Sequence, residues 1–334
     1  MSDGLLIKKT FASFDGLSGG VVLSDLCQHL LDAQRTLWNQ LAENDAALKR
    51  SDYRDFMGGG FSYRVQYNPG RIKSARAKID PQSIAQRKCF LCLENLPVAQ
   101  QGILYRNEYF ILCNPWPIFP GHLTIAHLRH LPQAIENSFA CLLRTAQDLS
   151  PRFTLFYNGP SCGASAPDHL HFQAVPAGSM PIERDAAIDA RRQMIHDRES
   201  VFLYRLLQQE RAAVIIEGND FLKVQDAFRL LFGAMRRVMG HEPEPMMNVV
   251  CSYCCHQWRV IVFPRKKFRP SAYDLQGDKK ILISPGAVEM GGFIVAPRKI
   301  DFERMDREKV STIYREVSID DKTFRRLETI IVEG

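Results

Sequence analysis

Residues 168–174 read Asp-His-Leu-His-Phe-Gln-Ala, and few backbone conformations accept that pattern. A strand sends alternate side chains to opposite faces. His169, His171 and Gln173 then share one face, while Leu170, Phe172 and Ala174 enter a core on the other. Three polar groups aligned on a half-buried strand are costly unless something engages them. A metal ion, a phosphate group or both would do so.

Upstream lies Asn158-Gly159-Pro160-Ser161-Cys162-Gly163-Ala164-Ser165-Ala166-Pro167, a small-residue loop between two apolar segments. Gly159 and Gly163 permit tight turns and close backbone approach, and Asn158 and Ser165 offer side-chain hydrogen bonds to phosphate oxygens. A neutral imidazole is a competent nucleophile at pH 7 and forms a phosphoramidate reactive enough to turn over. Glutamine at 173 can donate to a phosphoryl oxygen but cannot protonate a leaving group. It also supplies no general base for water, which favours group transfer over hydrolysis.

The string Asn-Gly…Gly-x-Ser…His-x-His-x-Gln resembles the active-site signature of the transferase branch of the histidine triad superfamily. That branch includes galactose-1-phosphate uridylyltransferase, diadenosine tetraphosphate phosphorylase and GDP-L-galactose phosphorylase. The segment Gly163-Ala164-Ser165 with His169-Leu170-His171-Phe172-Gln173-Ala174 is most similar to the GDP-hexose phosphorylases. Leu170 stands where the uridylyltransferases carry proline. The resemblance implies that His171 attacks the α-phosphorus of a nucleotide, with Gln173 beside it and Asn158, Gly163 and Ser165 around the phosphoryl group.

A second constellation is Cys89-Phe90-Leu91-Cys92, a C-x-x-C able to hold a metal ion. Two cysteines with two histidines complete a closed tetrahedral shell, which is structural in character. Several members of the superfamily place zinc on such a C-x-x-C, on a histidine after a Gly-x-Leu strand, and on the first His of the triad. By that match the ligands are Cys89, Cys92, His130 and His169, with His127 the rival for the third. Zinc on His169 would fix the strand carrying His171. No organic cofactor is implied.

Cys251-Ser252-Tyr253-Cys254-Cys255-His256 resembles a metal cluster on paper, but it lies in an apolar run and reads as a buried strand. Nine cysteines, an odd number, argue against a disulfide framework and for a reducing, cytoplasmic setting. No signal-peptide pattern opens the chain, and no apolar run approaches ~18 residues, so no membrane span is expected. A net charge of +6 suits anionic small molecules rather than nucleic acid. The expected partners are a nucleotide or nucleotide-sugar substrate and a phosphate acceptor, in a monomer or homodimer.

Three parts are expected in the 334 residues. Residues 1–85 hold a helix, capped by Ser24 and striped by Leu26, Leu30, Leu31, Trp38 and Leu41. Gly58-Gly59-Gly60 breaks that pattern, and an alternating strand follows over 61–67. The basic stretch after Pro69-Gly70 makes Arg71 a candidate phosphate ligand. Residues 86–180 carry strands at 109–113 and 122–126, a helix at 131–149, and strands at 153–157 and 169–175. Strand, strand, helix, strand, strand is the histidine triad order.

Residues 181–334 read as a second, degenerate copy without H-x-H. Helical periodicity covers 183–209 and 221–239, and strands are expected at 213–216, 258–263, 281–284 and 292–296. Residues 291–298 echo 121–126, and Arg259, Arg265 and Lys266 are further phosphate-binding candidates. The predicted class is therefore α+β, a histidine-triad-like antiparallel sheet with helices in two tandem units packing their sheets side by side. The predicted activity is transfer of a nucleoside monophosphate, through a covalent nucleotidyl-His171, from a nucleoside diphosphate sugar or dinucleoside polyphosphate to phosphate or a sugar phosphate. A nucleotide hydrolase and a silent nucleotide-binding protein are the alternatives.

Overall fold

The computed structural model describes residues 3–17, 20–56, 60–72, 80–207, 210–240 and 243–334. Gly58 and Gly59, and the basic residues Lys73, Arg76 and Lys78, lie outside the described residues. One large sheet contains β1 (Thr10–Phe14), β4 (Gly102–Tyr105), β5 (Tyr109–Cys113), β6 (Leu123–His127), β7 (Phe153–Asn158), β8 (His171–Pro176), β9 (Arg192–Arg198), β10 (Val201–Leu206), β11 (Val214–Gly218), β12 (Met247–Cys254) and β13 (Gln257–Pro264). A small sheet contains β2 (Asp52–Phe56), β3 (Tyr63–Tyr67) and β14 (Phe293–Ala296).

The large sheet runs β1-β4-β5-β6-β8-β7-β12-β13-β11-β10-β9, and that order contains the duplication. The first unit is β4-β5-β6-helix-β7-β8, with the helix Phe139–Asp148, and is laid out β4-β5-β6-β8-β7. The second is β9-β10-β11-helix-β12-β13, with the helix Phe221–Met239, and is laid out β9-β10-β11-β13-β12. Antiparallel pairing of β7 with β12, for example Asn158 opposite Asn248, fuses the two sheets edge to edge. The two helices share one face, where Phe139 and Phe228 stack with centroids 3.7 Å apart. The tandem α+β architecture expected from the sequence is the one observed.

Alternation along the strands divides the interior. Leu155, Tyr157, Leu170, Phe172, Ala174, Val249 and Val260 pack beneath the helices. Phe156, Val175, Val250, Ile261 and Phe263 face the opposite layer, made with β3, β14 and the helix Arg307–Val317. The N-terminal segment enters both sheets: β1 pairs parallel with β4, and β3 pairs parallel with β14.

Several expectations need correction. Among the described residues of 183–209 there is no long helix: the short helix Pro181–Asp185 is followed by the hairpin β9–β10. Glu199 and Ser200, with φ of 50° and 73°, make its turn, and Val201, Leu203 and Leu206 bury while their neighbours do not. Because β9 is a sheet edge, its Arg192, His196, Asp197 and Arg198 obscure the strand pattern. The helix expected over 131–149 starts only at Phe139. Before it, Leu131 and Gln133 spend their backbone groups on Leu170 and Pro167.

Residues 281–284 form no strand, although 281–283 are buried; the amides of Ile281 and Leu282 go to the Ala272 carbonyl and the Asp301 carboxylate. By topology the counterpart of β6 in the second unit is β11, so the echo in residues 291–298 belongs to the small sheet instead. Ser24 sits inside a helix that begins at Leu23, with Val22 at its cap, and the helix stops at Leu37 before a second one, Asn39–Leu48. Cys251 lies buried in β12 as expected, whereas Cys254 and Cys255 are exposed at the hairpin tip. Among the described residues no helix is long and apolar enough to cross a membrane.

Candidate active site and metal centre

Backbone pairing sets the position of the H-x-H-x-Q string. His171 lies opposite Ala126 on β6, and Gln173 lies opposite Thr124 and, across β7, Phe156. His169 falls just before the strand, yet the alternation holds: Leu170, Phe172 and Ala174 enter the core beneath the helices. The other face opens on a cavity of about 700 Å³. His171, Gln173, Asn158, Gly163, Ser165 and Arg71 all line it, so six of the predicted site residues converge. Gly163 (φ +95°) lets the loop turn there, and a Cβ on it would stand 2.9 Å from Gly286 Cα of the second unit.

His171 is held on three sides. Its N–H donates to Gln133 Oε1 (2.8 Å), and Gln133 Nε2 donates to the His171 carbonyl (3.0 Å) and the Asn158 carbonyl (2.9 Å). Its ring Nδ1 lies 2.8 Å from the His169 carbonyl. A carbonyl only accepts, so Nδ1 carries the proton and Nε2 keeps its lone pair. Burial disfavours the imidazolium and lowers the His171 pKa to about 4, against a smaller opposing effect of the His169 carbonyl.

The amide of Gln173 is oriented by the same kind of logic. The Ile118 N–H donates to His122 Nδ1 (3.3 Å), so His122 Nε2 carries the proton and donates to Gln173 Oε1 (2.9 Å). The amide NH2 of Gln173 is thereby turned away from His122. Burial, aided by the nearby Arg71 charge, lowers the His122 pKa to about 3 and keeps the ring neutral. Arg71 donates to the Trp116 carbonyl (2.8 Å), and the Glu289 carboxylate, also on the cavity wall, opposes the loss of charge that burial favours. Asn158 Oδ1 accepts from Asn248 Nδ2 (2.9 Å) and from the Ala287 N–H (2.7 Å).

Three predicted phosphate ligands lie elsewhere. Arg259 does not line the cavity; it pairs with Glu217 on β11 at 2.5 Å. Arg265 is fully buried behind the wall, donating to carbonyls that include Val317 and Phe268, and Lys266 is exposed. Gln133 and His122 escaped the sequence reading as site residues. Gln133 sits in a loop that reads as helix, and His122 gives no spacing signal.

Cys89, Cys92, His130 and His169 form a compact group whose ligand atoms lie within 4.8 Å of one another. Cys89 Sγ is 3.2 Å from His169 Nδ1, and Cys92 Sγ is 3.2 Å from His130 Nδ1 and 3.6 Å from His169 Nδ1. A tetrahedral zinc shell with its usual bond lengths separates sulfur from nitrogen by about 3.5 Å, so these residues fit a metal. His169 Nε2 donates to the His127 carbonyl (2.7 Å), which leaves Nδ1 for the metal. His127 itself points elsewhere, its Nδ1 accepting from the Arg129 N–H (2.9 Å). Asp168 joins this centre to the substrate loop: Oδ2 lies 3.6 Å from His130 Nε2, while Arg87 Nη2 donates to Oδ1 (3.0 Å) and to the Ser165 carbonyl (3.1 Å).

Residues 30–176 match a domain of unknown function, DUF4922, and residues 190–334 match a GDPGP1-like, C-terminal domain. Over 237 residues the chain is 27% identical to GDP-L-galactose phosphorylase 2 of Arabidopsis thaliana; the match covers 67% of this chain and 51% of that protein. The chain thus spans about half the length of the curated relative. Its fold matches yeast Ap4A phosphorylase Apa2 in complex with AMP (TM-score 0.54, 16% identity, 85% of this chain, 96% of the other). The same enzyme in complex with Ap4A gives TM-score 0.52 at 15% identity, covering 85% and 97%. The tandem sheet, the H-x-H-x-Q strand and these matched domains support the similarity of the chain to the transferase branch of the histidine triad superfamily.

Proposed function

We propose that the protein is a nucleotidyltransferase of phosphorylase type, acting on a nucleoside diphosphate sugar or a dinucleoside polyphosphate. The observation that carries the proposal is the state of His171: buried, neutral, its Nδ1–H tied to the His169 carbonyl, on the wall of a cavity large enough for a nucleotide. Nε2 attacks the α-phosphorus; the P–N bond forms as the P–O bond to the phosphorylated leaving group breaks and the electrons leave with that oxygen. A phosphate oxygen then attacks the same phosphorus, and the P–N electrons return to Nε2.

The amides of Gln173 and Asn158 and the hydroxyl of Ser165 donate to the phosphoryl oxygens, and Arg71 supplies positive charge. A phosphate or nucleotide leaving group needs no acid, which suits glutamine at 173. Zinc on Cys89, Cys92, His130 and His169 acts structurally, stiffening the backbone whose carbonyl aligns His171.

The test supplies GDP-L-galactose or Ap4A together with isotope-labelled inorganic phosphate. Label appearing in the nucleoside diphosphate product supports the reading. Unlabelled nucleoside monophosphate, formed from water, points to the hydrolase. Binding without any turnover points to a silent nucleotide-binding protein.

A further inference from the structure

The second unit has lost the histidine motif, yet it reaches the catalytic loop through Asn248 on β12. Arg265 and Asn248 are both fully buried. Arg265 Nη1 donates to Asn248 Oδ1 and to the Pro285 carbonyl (3.0 Å). A guanidinium has donors and no acceptor, so the oxygen of Asn248 must face it. Its Nδ2 is then turned to the loop, donating to the Cys162 carbonyl (2.6 Å) and to Asn158 Oδ1. The Ala287 N–H, which likewise can only donate, converges on the same oxygen. Gly286 makes that approach possible, since a Cβ there would stand 3.0 Å from Asn158 Oδ1.

We propose that Arg265 and Asn248 are positioning residues for the first unit's chemistry. They form a one-way relay of donors that fixes the oxygen of Asn158 toward the second unit and presents its NH2 to the phosphoryl group at His171. The degenerate half thus sets the polarity of a catalytic amide. The proposal rests on the reading of Asn158 as a phosphoryl ligand given above.

Asn248→Asp separates polarity from packing. Aspartate keeps the shape and gives buried Arg265 an anionic partner, whose charge-assisted bond offsets the loss of the donor to the Cys162 carbonyl. Facing Asn158, however, the carboxylate only accepts, and the amide must invert. With Ap4A and GDP-L-galactose as donors, we expect kcat to fall about 10²-fold, the cost of one transition-state donor. KM should change little and the melting temperature should not fall.

Asn158→Ala should match that loss, and the double variant should be no slower than Asn158→Ala alone. Wild-type kcat in Asn248→Asp, additive losses in the double variant, or a loss that follows a lowered melting temperature each overturn the relay. A wild-type rate in Asn158→Ala overturns the underlying role of Asn158. If the wild-type protein turns over neither donor, calorimetric binding of AMP and GMP decides: affinity weakened in Asn248→Asp at intact melting temperature supports the relay, and unchanged affinity refutes it.

Discussion

Gln133→Met is the perturbation that probes the site's architecture most finely. Gln133 is 1% exposed, and its side chain makes three hydrogen bonds, to the His171 N–H, the His171 carbonyl and the Asn158 carbonyl. Methionine has nearly the same length and volume, so no cavity opens and the change isolates the polar groups. The stranded His171 N–H costs about 1–3 kcal/mol, and each carbonyl, with a second lone pair to spare, about 0.5–1. The sum is about 2–5 kcal/mol of stability, read by denaturant unfolding. The same bonds fix the backbone under the nucleophile and under Asn158, so nucleotide transfer should slow by roughly 10–100-fold, the usual consequence of displacing a reacting group by about 1 Å. An unfolding free energy within about 0.5 kcal/mol of wild type, with an unchanged rate, would refute the reasoning, because surface-like neutrality at this position is incompatible with the bonds described.

Other predictions concern titration, metal and amide orientation. Because the folded pKa of His171 is depressed to about 4 from 6.5, its contribution to stability is fully present above pH 6.5 and is lost as pH falls toward 4. The amount is about 3 kcal/mol, visible as a pH dependence that His171→Gln removes. The acid limb of the transfer rate should accordingly lie well below pH 6.5. Cys92→Ser should lose one equivalent of bound metal by elemental analysis and melt at lower temperature. Wild-type protein purified under reducing conditions without metal, and not stabilised by added Zn2+, would contradict the centre. His122→Leu should slow transfer about tenfold by freeing the Gln173 amide to flip, while His122→Gln, which still offers a donor, should retain most of the rate; equal rates in the two variants would remove that role.

The strand carrying His171 and Gln173 was legible because burial on one face and polar groups on the other leave a period of two that no core requirement would write alone. The metal group was legible for a similar reason, since C-x-x-C is a local pattern. That His130 rather than His127 lies in this group depends on local turn geometry the pattern does not encode, which brings the Arg129 N–H onto His127. Gln133 and the Asn248–Asn158 contact were invisible because both act across long stretches of chain, through amides whose residue type carries no periodicity. The hairpin β9–β10 was misread as a helix because an edge strand shares its charges with solvent helices. Arg259 reads as a phosphate ligand because a guanidinium can bind phosphate bidentately, but on β13 its register places it opposite Glu217.

The central claim is that His171 becomes covalently nucleotidylated. Incubating the protein with Ap4A or GDP-L-galactose, without phosphate, and recording its intact mass tests this directly. The account predicts a gain of one nucleoside monophosphate, mapped to His171, absent in His171→Ala and discharged on adding phosphate. An unmodified mass alongside phosphate-dependent turnover would contradict it, since transfer would then proceed without the enzyme-bound intermediate.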